Sequence, residues 1–311
     1  MNFLKRAWEL VSPLVIYSLI QYVVVTAVIF VYIYTKADPG LMGDRSYLAE
    51  MARASYDMLD RNVVLISGIS ALFAILPLYR MLKKEWLKRP YLLRQTEPKT
   101  VKYIFVLAAS AGMTISVNLF INALEVFKYA SGYVQAAEEM YAEPLYMQVI
   151  VIGILMPVME EIIFRGLMYE RISNFSGEVS AMLLTSFVFG VYHGNLVQGV
   201  YAFVFSLLMI YVYKRTGSFA SSIIFHMAGN MICLALNRMA PLSTMGYSVG
   251  IVVSAMVGIY GLRELNRRNF FRVVPIDLEG MEDGDENFDS DENFDSDEDV
   301  DSGDEIEKDW D

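Results

Sequence analysis

Long apolar runs recur along this chain, and they restrict the folds open to it more than any other feature. A helix needs roughly 20 apolar residues to cross the hydrocarbon core of a bilayer. Inside lipid only helices and closed barrels satisfy their backbone hydrogen bonds, and continuous apolar runs are typical of helices. We therefore predict an all-α fold, a polytopic membrane helix bundle of about eight transmembrane helices. The runs are residues 11–34, 62–82, 103–124, 147–169, 179–192, 197–213, 218–236 and 247–262.

Basic residues are distributed unequally between the two sides of this predicted bundle. If the N-terminus lies inside, the inner segments hold 17 Lys and Arg residues and the outer loops hold 6. Cytoplasmic loops of membrane proteins are enriched in Lys and Arg. We therefore expect an integral, multi-pass membrane protein with both termini in the cytoplasm. The first run is too long for the apolar region of a signal peptide, so we expect it to be retained as a helix.

The net charge of −11 combines two regions of opposite charge. Residues 279–311 contain 18 acidic residues and one basic residue, so the rest of the chain is mildly basic. The segment is too polar to form a core, and its charges repel one another. We predict that it is a disordered, acidic C-terminal tail. A calcium site there is disfavoured, because the acidic repeats lack the glycine and the terminal glutamate of an EF-hand loop.

Two adjacent carboxylates and a guanidinium lie inside the fourth apolar run, in the sequence MEEIIFRG (159–166). An ionised side chain at membrane depth costs about 2.5 kcal/mol or more, so it is retained where it has a partner or a function. Glu161 and Arg165 are four residues apart and can form an ion pair on one helix face. Glu160 points roughly 100° away from Glu161 on an α-helix and remains free for another task. Pro157 has no N–H and is expected to kink the helix near these residues.

Of the only two histidines of the chain, His193 directly follows the fifth apolar run and His226 lies within the seventh. His193 follows Phe189 by four residues, and His226 precedes Asn230 by four residues, so the members of each pair share a helix face. The short connection at 194–196 indicates a helical hairpin with His193 at its tip. A single intramembrane histidine is more often a packing residue than a catalytic one. Two histidines that follow a pair of glutamates favour a functional site over an ion pair that only fixes helix packing.

Together these side chains favour hydrolysis of an acyl bond by activated water. If the arginine keeps Glu161 ionised, Glu160 is available as a general base. His193 can orient the water and protonate the leaving amine, while His226 and Asn230 are suitable donors to a developing oxyanion. No serine in a GxSxG setting and no Cys–His pairing competes as nucleophile. The catalytic candidates are Glu160, His193, His226 and Asn230, and the supporting candidates are Glu161, Arg165 and Phe189.

A metal site is the alternative chemistry for these residues. Two histidines and two glutamates are enough ligands for zinc. However, the HExxH motif is absent and the histidines lie on different predicted helices. Cys233 is the only cysteine, so it provides neither a disulfide nor a cysteine-based metal site. We therefore expect no metal and no cofactor.

Three motifs occur in order on successive predicted helices: EExxxR at 160–165, FxxxH at 189–193 and HxxxN at 226–230. In this order they resemble the motifs of the CPBP family of intramembrane glutamic endopeptidases. That family is related to the eukaryotic CAAX prenyl protease Rce1 and to the bacterial Abi and bacteriocin-immunity proteins. The resemblance covers about residues 147–236 and leaves the N-terminal helices and the tail outside.

The resemblance implies a role for each matching position. Glu160 and His193 would activate water, and His226 with Asn230 would form the oxyanion pocket. Glu161 and Arg165 would support the site, and the reaction would need no metal. The chain then divides into N-terminal transmembrane helices (1–146), a catalytic core (147–236), a last transmembrane helix with a basic juxtamembrane segment (237–278) and the acidic tail (279–311).

We therefore expect an intramembrane endopeptidase that hydrolyses a peptide bond by glutamate-activated water, of the CAAX-processing or bacteriocin-immunity type. The expected partners are the lipid bilayer and a peptide or membrane-protein substrate, with or without a lipid anchor, and no nucleic acid. The bacterial plasma membrane is the expected location. The alternative is a non-catalytic membrane scaffold or immunity protein that binds a membrane partner through the same core. A proton-coupled transporter is less favoured, because the two halves of the sequence show no inverted repeat.

Overall fold

The computed structural model describes residues 3–88, 91–96, 99–125 and 130–275. Helices make up most of this part of the chain, so the predicted all-α fold is confirmed. The acidic tail predicted at 279–311 lies outside the described residues. The helices are α1 (Phe3–Lys36), α2 (Arg45–Arg61), α3 (Val63–Trp86), α4 (Lys99–Ala123), α5 (Ser131–Ala142), α6 (Leu145–Ser176), α7 (Glu178–Tyr192), α8 (Leu196–Thr216), α9 (Phe219–Leu236) and α10 (Thr244–Arg267).

Seven of the helices in the described ranges are long and apolar enough to cross a membrane, namely α1, α3, α4, α6, α8, α9 and α10. The fifth predicted run forms α7, which is apolar but has only 15 residues. At 1.5 Å per residue it is about 22 Å long, which is less than the roughly 30 Å thickness of the hydrocarbon core. Within the described ranges, the bundle therefore has seven helices of spanning length and one short apolar helix, where the sequence predicts eight spans.

The short helix α7 and the following α8 form the hairpin that the sequence predicts. Their backbones approach closely where Gly190 meets Gly199, since a Cβ on Gly190 would lie only 2.7 Å from the Gly199 carbonyl oxygen. His193 follows the last residue of α7, and Gly194 has a positive φ of 74° that suits glycine at a reversal of the chain. The hairpin therefore presents His193 at its tip.

Helix α6 is the central helix of the bundle. Every residue from 159 to 169 is buried, so this stretch is surrounded by protein on all sides. Ile163, Phe164 and Leu167 belong to the hydrophobic core that surrounds it. The charged side chains of the MEEIIFRG sequence therefore face neighbouring helices and not lipid.

Two π-helical segments interrupt α6, Gln148–Leu155 and Ile162–Tyr169, with an α-helical segment, Met156–Glu161, between them. In a π-helix each N–H bonds to the carbonyl five residues earlier, and here the N–H of Met156 bonds to the carbonyl of Val151. The next donor in this pattern would be residue 157, which is a proline and has no N–H. Pro157 therefore stands where the π-helix reverts to an α-helix, and the carbonyl of Ile152 is left for another donor.

Helices α4 and α10 pack at very short range along a line of small residues. A Cβ on Gly112 would lie 2.1 Å from the backbone nitrogen of Gly258, and one on Gly261 would lie 2.6 Å from that of Ala109. Small residues allow such close approach of membrane helices. Through α4, whose Ser110 hydroxyl bonds to the Phe225 carbonyl of α9 at 2.6 Å, this contact ties α10 to the central helices.

Two short strands, β1 (Tyr91–Gln95) and β2 (Phe271–Pro275), form a two-stranded sheet. The first strand lies between two of the predicted spans, and the second lies in the predicted basic juxtamembrane segment. The sheet joins the chain that follows α3 to the chain that follows α10. It lies outside the spanning helices and carries none of the predicted site residues.

Candidate active site

Glu161 and Arg165 form the ion pair that their four-residue spacing predicts. Nη1 of Arg165 donates to Oε1 of Glu161 at 2.8 Å, and both side chains are fully buried. Within the described part of the chain, Nε and Nη2 of Arg165 have no hydrogen-bond partner. The guanidinium instead lies 4.4 Å from the centroid of the Phe189 ring. A cation over an aromatic face is stabilised by about 2 kcal/mol or more in a desolvated site, so Phe189 partly replaces the missing partners.

Glu161 also accepts hydrogen bonds from two residues of α9. Nδ1 of His226 lies 2.8 Å from Oε1, and the hydroxyl of Ser222 donates to Oε2. Ser222 and His226 are one helical turn apart, so both face α6. A carboxylate paired with an arginine accepts hydrogen bonds, and Nδ1 of His226 is therefore the donor. Ser222 was not identified from the sequence, where its four-residue spacing from His226 is the only signal.

His226 contacts both glutamates of the adjacent pair. While its Nδ1 bonds to Glu161, its Nε2 lies 3.7 Å from Oε2 of Glu160. The two ring nitrogens of an imidazole point in different directions, so one ring can bridge two carboxylates. The contact to Glu161 fixes the ring and leaves Nε2 facing the carboxylate that is free of the arginine pair.

His193 is fixed by the backbone of its own helix. Its Nδ1 lies 2.8 Å from the carbonyl oxygen of Phe189. A carbonyl oxygen only accepts, so Nδ1 carries the hydrogen, and Nε2 of the neutral ring is left as an acceptor. The Phe189 ring also packs against both histidines, with centroid separations of 4.8 Å to His193 and 5.9 Å to His226. These contacts give a physical reason for the FxxxH spacing.

Asn230 bonds to the carbonyl that Pro157 leaves without its π-helical donor. Its Nδ2 donates to the oxygen of Ile152 at 2.8 Å, which joins α9 to α6 next to the carboxylate pair. A side-chain amide has two N–H donors. The bond to Ile152 uses one of them and orients the group, so one donor remains for a ligand.

The four catalytic candidates line one cavity of about 600 Å³. Its other walls are largely apolar and include Met156, Phe205, Met209 and Phe225. Ligand sites have typical volumes of about 300–1,000 Å³ and combine apolar walls with a few polar groups. The cavity is lined by Glu160, His193, His226 and Asn230, whereas Glu161, Arg165 and Ser222 lie behind its wall.

Each histidine presents one ring nitrogen to the cavity, where it could bind a water molecule or a metal ion. Both Nδ1 atoms are engaged, by the Phe189 carbonyl and by Glu161, so each histidine offers only Nε2 to the cavity. Among the described residues, no group of three or more His, Cys, Asp and Glu side chains is arranged to hold a metal ion. The expectation of a reaction without a metal stays a prediction.

Residues 142–232 match the family model described as "Type II CAAX prenyl endopeptidase Rce1-like". The matched segment contains all three motifs and the whole of α7 and α8, and the resemblance drawn from the motifs is confirmed. No curated protein and no solved structure matches the chain. The match begins slightly before residue 147 and ends slightly before residue 236. It supports the location of the core, while the proposed domain boundaries stay predictions.

Proposed function

Because residues 142–232 carry an Rce1-like segment of the CAAX-type intramembrane protease family, we propose that this chain is an endopeptidase in which Glu160 activates water. The observation that carries the proposal is the meeting of four polar side chains from three helices in one cavity inside the bundle. Glu160 comes from α6, His193 from the α7–α8 hairpin, and His226 with Asn230 from α9.

Two of these groups are acceptors that suit a water molecule. A water has two hydrogens to donate, and the Glu160 carboxylate and Nε2 of the neutral His193 ring can each accept one. Held in this way, the water oxygen keeps its lone pairs for attack on a carbonyl carbon. Glu160 then takes a proton from the water as general base. When the C–N bond breaks, the proton taken by Glu160 passes by way of Nε2 of His193 to the leaving nitrogen, and Glu160 returns to its ionised form.

The other two groups are placed to donate to the oxyanion that forms on the attacked carbonyl. Asn230 has a second amide hydrogen beyond the one bonded to Ile152. Nε2 of His226, which lies 3.7 Å from Oε2 of Glu160, can donate when the ring is doubly protonated. Loss of one oxyanion donor costs about 2.7–4 kcal/mol of transition-state stabilisation in other hydrolases.

The pair of Glu161 and Arg165 positions His226 from behind the cavity. Glu161 holds Nδ1 of His226, and Arg165 with Ser222 holds Glu161. Since Glu161 accepts all three bonds, it has no role as a base for water. The adjacent glutamates therefore have different roles: Glu160 is the base for water, and Glu161 positions His226.

The proposed substrate is a peptide or membrane protein, with or without a lipid anchor, in keeping with CAAX processing or bacteriocin immunity. The largely apolar walls of the cavity support a substrate that reaches the site within the bilayer. We place the protein in the bacterial plasma membrane with both termini in the cytoplasm. The short α7 does not change this topology, because the α7–α8 hairpin begins and ends on one side of the bundle.

Cleavage by purified protein in detergent tests the proposal. Wild type and Glu160→Gln are presented with a library of quenched peptides, some of which carry a farnesyl cysteine. Glu178→Gln is the matched control, since Glu178 is half-exposed and pairs with Lys214 at the surface. We expect cleavage by wild type and by the control variant but not by Glu160→Gln. Equal cleavage by all three would show that Glu160 is not the base, and binding of peptides without cleavage would favour a scaffold.

A further inference from the structure

Helix α5 covers the catalytic cavity without being one of the spanning helices. Its residues Tyr133, Ala137, Met140 and Tyr141 form part of the cavity lining. Burial, with a smaller effect of the nearby Cys233 thiol, raises the pKa of both tyrosines above the ordinary value. The side chains of α5 on this face are therefore partly buried against the cavity.

A second cavity of about 470 Å³ lies beneath the same helix. Its lining is more polar and includes Asn122, Glu138, Asn237 and Tyr247, from α4, α5 and the chain around the start of α10. The two cavities adjoin, because six residues line both. The shared residues are Asn118, Ile121, Tyr133, Ala137, Tyr141 and Cys233.

Buried polar contacts hold the C-terminal end of α5 in place. Nε2 of Gln148, a fully buried residue of α6, donates to the carbonyl oxygens of Tyr141 at 3.1 Å and Glu143 at 2.6 Å. Its Oε1 accepts from Nη2 of Arg238 at 2.9 Å, and Nη1 of Arg238 donates to the Leu234 carbonyl. One glutamine thus ties the end of α5 to α6 and to the end of α9.

None of these contacts is used by the proposed reaction. Gln148 lies twelve residues before Glu160 on α6, which places it roughly 18 Å away at the rise of an α-helix. Gln148 is a buried side chain whose polar atoms are all bonded, and its two bonds to the end of α5 fix that helix. The position of α5, and with it the cover of both cavities, therefore depends on Gln148 and Arg238.

We propose that α5 is a gate held closed by Gln148 and Arg238, and that its opening joins the two cavities into one channel for an extended peptide. Both cavities have mixed polar and apolar linings that suit the backbone and side chains of a peptide, and the segment that is cut would lie in the first cavity beside Glu160. The peptide as ligand rests on the proposed endopeptidase function, whereas the movement of α5 does not.

The single cysteine of the chain reports this movement without any need for catalysis. Cys233 lines both cavities beneath α5, so a water-soluble maleimide reaches it when α5 opens. The rate of modification then follows the population of the open form. We expect Gln148→Ala to raise this rate about fivefold or more, the factor that corresponds to losing one ordinary hydrogen bond. Ser173→Ala, which removes a side-chain bond to a carbonyl elsewhere on α6, should leave it unchanged.

An engineered disulfide closes the gate with Gln148 left in place. A Cβ on Gly132 of α5 would lie 4.0 Å from Cβ of Asn195 at the hairpin tip, which is within the range of about 3.5–4.5 Å for disulfides. In Gly132→Cys/Asn195→Cys, oxidation should slow modification of Cys233 at least tenfold, and reduction should restore it. The modified residue is identified by peptide mass, and the reduced form of the same protein is the control.

Two outcomes would contradict the proposal that α5 is a gate. One is equal modification of Cys233 in wild type and in folded Gln148→Ala. The other is equal modification in the oxidised and reduced forms of the double-cysteine protein. Slower cleavage of the library peptides by the oxidised form would then connect the gate with the proposed reaction. If modification responds as expected and no peptide is cleaved, the gate stands and the endopeptidase function fails.

Discussion

Asn230 donates its side-chain amide to the carbonyl oxygen of Ile152 at 2.8 Å. That carbonyl would otherwise bond to the N–H of residue 157, which is a proline. The asparagine of the third motif therefore completes the hydrogen bonding of the helix that carries the first motif. This gives Asn230 a structural task beside its proposed contact with the oxyanion.

Asn230→Asp should lower both stability and activity. The carboxylate lacks an N–H and would face the Ile152 carbonyl, so a buried acceptor loses its donor at a cost of about 1–3 kcal/mol. Thermal unfolding in detergent and peptide cleavage measure the two effects. Asn122→Asp is the control for stability. The side-chain amide of Asn122 also donates to a backbone carbonyl, that of Asn118, but Asn122 is exposed. Equal melting temperatures for the two variants would contradict the role of the Ile152 bond.

Glu161→Gln should be the most damaging substitution for stability among the site carboxylates. It leaves the fully buried Arg165 without its paired charge, and breaking a buried ion pair costs about 3–5 kcal/mol. Glu178→Gln breaks a surface pair instead, for which about 0–1 kcal/mol is expected. The melting temperatures of the two variants give the comparison. A silent Glu161→Gln would show that Arg165 is held by other groups.

The variant Phe189→Leu tests the role of the aromatic ring apart from the role of the backbone carbonyl. The ring contact with Arg165 is lost, at about 2 kcal/mol or more, whereas the carbonyl that accepts from His193 is kept. Because the chain has two histidines, ¹⁵N-histidine spectra can follow each ring. We expect a lower melting temperature with Nδ1 of His193 still protonated. Phe187→Leu, at an exposed site on the same helix, is the control, and loss of the His193 signal pattern in Phe189→Leu alone would contradict the assignment.

Gly112→Ala should destabilise the protein through the contact between α4 and α10. The new Cβ would lie 2.1 Å from the backbone nitrogen of Gly258, and neither helix can yield without losing the close contact between α4 and α10. The expected destabilisation exceeds the roughly 1 kcal/mol of an average substitution. At Gly43 a Cβ meets no heavy atom within 4 Å, so Gly43→Ala is the control. An unchanged melting temperature of Gly112→Ala would show that the helices pack less closely.

A strong chelator should not reduce peptide cleavage. In the part of the chain that the structure describes, no group of three or more His, Cys, Asp and Glu side chains is arranged to hold a metal ion. Cleavage is measured before and after treatment with the chelator, and again after zinc is added. Inhibition that zinc reverses would establish a metal-dependent reaction in place of the water held by Glu160 and His193.

The helices and the contacts between residues four apart could be predicted from the sequence, because both depend on local spacing. Apolar runs long enough for lipid gave the spans, and the spacing of Glu161 and Arg165 gave their ion pair. The spacing of Phe189 and His193 likewise placed them one turn apart, although the bond to the carbonyl was not foreseen.

Other features depend on contacts between distant segments and were not predicted. The π-helical segments of α6 do not alter its apolar pattern, and the role of Asn230 at Ile152 follows only once they are known. Ser222 is one of many small residues in apolar helices, and only the position of Glu161 on α6 distinguishes it. The helices α2 and α5 fall between the predicted spans, because their composition is too polar for a span.

The two π-helical segments enclose the turn that carries both glutamates. A π-helical segment contains one extra residue compared with the α-helix that would replace it. Deleting one residue can therefore convert such a segment to an α-helix without interrupting the helix. Removing one from Gln148–Leu155 would rotate the preceding part of α6 by about 100° relative to the glutamates. Gln148 would leave α5, while Glu160 would keep its position beside His226. Within one helix, evolution can therefore alter how substrates are admitted independently of how they are cut.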